Sequence, residues 1–123
     1  MELTFTELEQ YTLAELPPGA DPIATPAAAI DLVGNASFGG ASHVLVTADQ
    51  LDPSFFDLRS GLAGELLQKL ATYRLTFAVV GDFSHTSDSF KALVSESNRG
   101  RHVAFVPTRE AALAKWAVEG GAD

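Results

Sequence analysis

Short apolar runs and helical repeats alternate along this chain. Residues 3–8 and 11–16 switch partly between apolar and polar side chains, which predicts two edge strands. Pro17-Pro18-Gly19 breaks that pattern, and Asp21-Pro22 extends the turn. Thr25-Pro26 reads as a helix start, with a hydroxyl cap and a proline where the first helical N–H has no partner anyway. Ala29, Ile30 and Val33 form the expected buried stripe of this helix, which Gly34-Asn35 or Gly39-Gly40 would end. Residues 43–47 are a short apolar run suited to a central, buried strand, giving way to loop at Asp49.

The clearest helical repeat follows. Leu62, Leu66 and Leu70 recur every four residues with Ala63, Leu67 and Ala71 beside them, and Glu65 and Lys69 are spaced for an exposed ion pair. Residues 75–80 predict a second buried strand, closed by Gly81-Asp82. Thr86-Ser87-Asp88 caps a helix with the apolar face Phe90, Leu93 and Val94, and Gly100 is expected to end it in the left-handed position. Residues 103–106 predict the last strand. Thr108 then caps a helix burying Ala112, Leu113 and Trp116, and 120–123 read as a frayed tail. This alternation predicts one α/β domain over residues 1–123, a mixed sheet with a parallel core, about four to five strands and four helices.

Charge changes the picture. The 123 residues carry a net charge of −8, unevenly spread. Residues 1–58 hold nine carboxylates and no Lys or Arg, whereas all eight basic side chains lie in 59–123 beside seven carboxylates. Such a balance argues against nucleic acid and anionic membranes as partners. No cysteine is present, so disulfide, CxxC and thiolate-metal chemistry are excluded. The start of the chain has neither a basic nor an apolar signal region, and no run reaches the ~18 apolar residues of a membrane helix. A cytoplasmic location is the expectation.

The run Phe55-Phe56-Asp57-Leu58-Arg59-Ser60-Gly61-Leu62-Ala63-Gly64-Glu65-Leu66-Leu67-Gln68-Lys69 resembles the hallmark of the domain-of-unknown-function 4180 family. Tyr73-Arg74, Gly81-Asp82-Phe83 and 96–100 follow in that family's order, so the resemblance covers about 23–117; Thr72 departs from the expected Asn. That family implies no activity. More distantly, the order of elements and Ser60-Gly61-Leu62 resemble the STAS domain, the fold of anti-sigma-factor antagonists. There, an Asp-Ser-Ser-Gly-Leu loop opens a helix and a serine is phosphorylated by a partner kinase. Here Leu58 and Arg59 stand in place of the Asp and first Ser, which removes the kinase-facing part of the motif. The resemblance implies a non-enzymatic STAS-like interaction or regulatory module; the alternative reading is a small anionic-ligand-binding domain or a cryptic enzyme that uses the edge around Arg59, Ser60 and Asp82.

In an open parallel sheet, ligands meet the carboxyl ends of the strands. That edge should carry Asp57, Arg59, Ser60, Gly61, Asp82 and Ser84, the candidate surface for a protein partner, a homodimer or a small anion. Ser60 and Gly61 open a helix whose free N–H groups attract negative charge. The bland alternative is that Ser60 caps the helix while Arg59 pairs with Asp57 or Asp82. Phe55 and Phe56 are either interface anchors or core packed through an irregular loop. Lys69, Tyr73, Arg74, Glu96, Asn98 and Arg99, at two helix ends on the opposite edge, read as structural caps and ion pairs, with Glu96 bonding Arg74 or Lys69. His43, His85 and His102 lack ligand spacing, and Asp57 with Asp82 has no third partner, so no metal is expected. Arg59-Ser60-Gly61 lacks the first glycine of a nucleophile elbow, and no phosphate-binding glycine loop exists, so no cofactor is expected.

Overall fold

The computed structural model describes residues 1–121, and side chains as far as 117 within the last helix. Strands β1 (Thr4–Glu7), β2 (Thr12–Glu15), β3 (His43–Thr47), β4 (Thr76–Val80) and β5 (Val103–Val106) form one sheet in chain order. β1 pairs antiparallel with β2, and the remaining pairs are parallel. The helices are α1 (Pro26–Phe38), α2 (Leu62–Thr72), α3 (Asp88–Arg99) and α4 (Arg109–Gly121). This is the mixed α/β architecture the alternating pattern implies.

Strand alternation sorts the core into two layers. Ala14, Val44, Val46, Phe77, Val79 and Phe105 face α1, α2 and Phe90 of α3. Leu13, Leu45, Ala78 and Ala104 face the other way, under Ala112 and Trp116 of α4. Three helices therefore share one face of the sheet, and α4 alone covers the other. A two-pronged contact ties α4 back to the sheet: Arg109 Nη2 and Nε lie 2.9 and 3.0 Å from the Glu15 carboxylate.

Several local expectations need correction. The buried stripe of α1 is Ala29, Leu32, Val33 and Ala36, while Ile30 is 45% exposed. Positions 29, 32, 33 and 36 follow i, i+3, i+4, i+7, and Ile30 sits one step off that row. The helix runs past Gly34-Asn35 and stops at Gly39. Gly100 is extended (φ −91, ψ −172), not left-handed. The left-handed turn instead closes α2 at Arg74 (φ 57), where Leu75 N–H reaches the Leu70 carbonyl at 2.9 Å. Glu65 and Lys69 form no ion pair. Gly120 and Gly121 belong to α4, and the rest of the expected tail lies outside the described residues.

Beneath α4, the His43 ring stacks on Tyr11 at 3.9 Å and meets the edge of Trp116 at 4.8 Å. Burial lowers the His43 pKa to about 4, so the ring is neutral at pH 7. The unfolded chain, near 6.5, then binds the proton more readily than the folded one. Stability from the neutral ring is complete above pH 6.5 and is lost as pH falls towards 4. After discounting for partial exposure, the loss is on the order of 1–2 kcal/mol. Urea midpoints measured from pH 7 to 4, with the single Trp116 as fluorescent reporter, should fall in that window. His43→Phe, which keeps an apolar ring, should flatten the curve there.

Candidate functional site

The carboxyl-terminal edge of the parallel strands is built from three 3-10 turns that lie between β3 and α2. They span Ala48–Gln50, Pro53–Phe56 and Leu58–Ser60. Each is held by a polar side chain. Gln50 Oε1 accepts from Thr47 N–H at 2.9 Å, and its amide reaches across to the Leu16 carbonyl at 3.0 Å. Asp52 accepts from the amide and hydroxyl of Ser54 at 3.0 and 2.6 Å. Asp57 accepts from the Arg59 backbone N–H and Nε, both at 3.1 Å.

Ser60 joins the turns to α2. Its hydroxyl donates to the Ser54 carbonyl at 2.5 Å and accepts from Leu62 N–H at 3.2 Å. Gly61 occupies the cap position in the left-handed region (φ 81), so Ser60 sits one residue before the cap. Any side chain at 61 would be strained there, which explains the glycine. Glycine at this point lets the chain swing from the last 3-10 turn directly into α2.

Arg59 pairs with Asp57 rather than Asp82, and its side chain is 92% exposed. Hydrogen bonds from Arg59 hold the Asp57 carboxyl below its usual range. Across the edge, Asp82 accepts from Ser84 N–H at 2.9 Å, which likewise lowers its pKa, and lies 3.8 Å from His85 Nε2. Asp57 and Asp82 thus each hold their own loop. Among the described residues, no cluster of three or more His, Asp or Glu could hold a metal ion.

The floor of this edge is aromatic. Phe55 is 0% exposed and Phe56 is half-buried, so the packed alternative holds for Phe55, which is no surface anchor. A 3-10 turn resolves the problem of two adjacent rings entering one core. Phe56 lies 5.2 Å from Phe90 and 6.3 Å from Phe83, which links the loop after β3 to the loop after β4. Phe83 in turn meets Phe105 at 5.2 Å. The charged groups therefore stand on loops fastened to a common core.

At the opposite edge the bonds differ from those expected. Glu96 pairs with Arg99 at 3.4 Å, not with Arg74 or Lys69. Asn98 turns its amide onto β5, as donor to the Phe105 carbonyl (3.1 Å) and acceptor from the Phe105 N–H (2.8 Å). Arg74 lines a cleft of about 370 Å³ with Leu67, Leu75 and His102, while Lys69 is half-buried and Tyr73 is exposed. Sequence reasoning missed the Asn98 contact and the Glu15–Arg109 pair, which spans 94 residues. Asn98 carried a weak signal, an amide at the end of a helix shortly before a strand. The long-range pair carried none.

The fold and this edge define a small α/β domain that presents a charged, loop-built surface at the carboxyl ends of its parallel strands. Residues 8–116 match the family described as a domain of unknown function, DUF4180, and the chain belongs to that family. The match begins earlier than the expected residue 23 and takes in β2. No curated protein matches the chain. Among the described residues, no helix is long and apolar enough to cross a membrane.

Proposed function

We propose that this domain is a non-catalytic, STAS-like interaction or regulatory module acting in the cytoplasm. It meets a protein partner, or a second copy, through the edge bearing Asp57, Arg59, Ser60, Gly61, Asp82 and Ser84. The observation that carries this reading is the placement of Arg59, almost fully exposed yet held by Asp57 on a turn anchored by Phe55 and Phe56. A charge fixed before binding loses little conformational entropy on association. The lowered carboxyls of Asp57 and Asp82 stay ionised, which suits ionic recognition and opposes proton donation. The order of elements and Ser60-Gly61-Leu62 at the start of α2 support the STAS-like reading by analogy of fold. A small anionic ligand is less well supported here. Asp57 already answers the Arg59 charge, and the Ser60 proton is committed to Ser54.

A photo-crosslinking residue introduced at exposed Ser84 should capture one discrete protein in cells. Arg59→Glu should cut that capture about tenfold while leaving the melting temperature nearly unchanged, because an exposed pair contributes little stability. Equal capture by the variant would overturn the reading. Arg59-dependent stabilisation by phosphate would favour the ligand alternative.

A further inference from the structure

The two edges of the sheet are treated differently. β5 is closed at its centre by the Asn98 amide, which takes both main-chain groups of Phe105. β1 is the other edge, with no strand beyond it among the described residues. Leu8 N–H bonds the Tyr11 carbonyl at 2.8 Å, which sets the phase of the β1–β2 ladder. Bonded pairs alternate along an antiparallel ladder, so Thr6 and Thr4 turn their main-chain groups towards β2. Phe5 and Glu7 turn theirs outward. The bond from Ser42 N–H to the Thr12 carbonyl has the matching phase on the far side of β2.

The surface beside this open edge has a definite character. Phe38 is 96% exposed and Phe5 is 41% exposed. The Phe5 ring lies against Gly39, the residue that follows Phe38, where an added Cβ would come within 2.2 Å of it. Glu2, Glu7 and Glu9 are exposed carboxylates with no ion-pair partner among the described residues, and no Lys or Arg occurs before residue 59. The nearby Arg109 is already committed to Glu15. An edge strand left open in a folded protein is ordinarily blunted by charged side chains, lysine above all, by proline or by a cover, and a row of one charge sign also admits only a segment of the opposite sign. This one carries carboxylates and two aromatic rings.

We propose that β1 is a docking edge for an extended, cationic segment of another protein, which adds as a sixth strand. Up to four main-chain hydrogen bonds would form to Phe5 and Glu7. Phe5 and Glu7 share one face of β1, so residues two apart on the segment would set an apolar side chain against Phe5 and a Lys or Arg beside Glu7, with Glu2 and Glu9 adding negative charge at the two ends of the strand. Charge selects against a second copy as occupant, because pairing β1 with itself would bring two acidic edges together. This surface is separate from the Arg59 edge and does not depend on it.

The test uses the full chain and an end-blocked peptide in which lysine and phenylalanine stand two residues apart, on one face of the added strand, with a glutamate-for-lysine peptide as control. In ¹⁵N-labelled protein at low salt, the lysine peptide should shift the Phe5 and Glu7 amides and slow their hydrogen exchange. The control should not. Joint substitution of Glu2, Glu7 and Glu9 by glutamine should weaken binding at least tenfold, and Phe38→Ser should weaken it without changing the melting temperature. Equal binding of both peptides, shifts confined to other strands, or no shift at millimolar peptide would each overturn the proposal. So would concentration-dependent dimerisation of the protein alone that Phe5→Lys abolishes, since a second copy would then be the occupant.

Discussion

Phe90→Ala should destabilise this domain by about 3–5 kcal/mol, the usual cost of emptying a large aromatic site in a packed core. Phe90 is fully buried and is the only residue of α3 that is. Its ring contacts Phe55 at 6.0 Å, Phe56 at 5.2 Å and Phe105 at 5.6 Å. One side chain therefore joins α3, β5 and the turn that precedes α2. Urea unfolding followed by circular dichroism would measure the loss. A second effect separates this position from an ordinary core site. The turns at 53–60 and the loop at 81–86 rest on the same aromatic floor, so their amide exchange should quicken more than that of β3 or β4. Phe90→Leu, which keeps most of the volume, should recover the greater part of the stability. If Phe90→Ala unfolds within about 1 kcal/mol of the wild type, the aromatic cluster does not hold the edge together.

The parts of this architecture that were legible in the sequence are those with a period. Leu62, Leu66 and Leu70 mark the buried face of α2 because a sustained four-residue spacing admits only a helix. β3 and β4 are readable as apolar runs because each is covered on both sides. In α1 the expected stripe holds Ile30 in place of Leu32 and Ala36, because apolar residues at nearly every position from 26 to 33 leave more than one helical row open. The region 48–60 has no period at all. Its turns are three or four residues long and are set by Gln50, Asp52, Asp57 and Ser60 bonding to nearby main chain. Those residue types announce a loop but not which loop. At the candidate site, the Arg59–Asp57 partnership was one of two pairings open to the sequence. A two-residue separation favours it, because Asp57 can hold the backbone and side chain of Arg59 together. The Ser54–Ser60 bond could not be foreseen, since it depends on how two turns fold onto each other.

Asn98→Ala should cost about 1–3 kcal/mol, because it strips Phe105 of both main-chain partners in a half-buried setting. The geometry singles out the amide. Asn98→Asp would keep an acceptor for the Phe105 N–H but would set a carboxylate against its carbonyl, so it should not rescue the alanine variant. Thermal melts of the two variants beside the wild type would establish the order. The larger consequence concerns solution behaviour. β5 pairs with β4 on one side, and freeing Phe105 on the other exposes a donor and an acceptor in the middle of an apolar strand. Such an edge is a template for another chain. Asn98→Ala should therefore raise the apparent mass in light scattering at high protein concentration, while the wild type stays constant. A variant that melts like the wild type and does not associate would show that the amide does not close this edge. Because β1 retains its open side in both proteins, association that appears only in the variant assigns the new contact to β5. The contrast would also separate an edge that the fold seals from one that it leaves available.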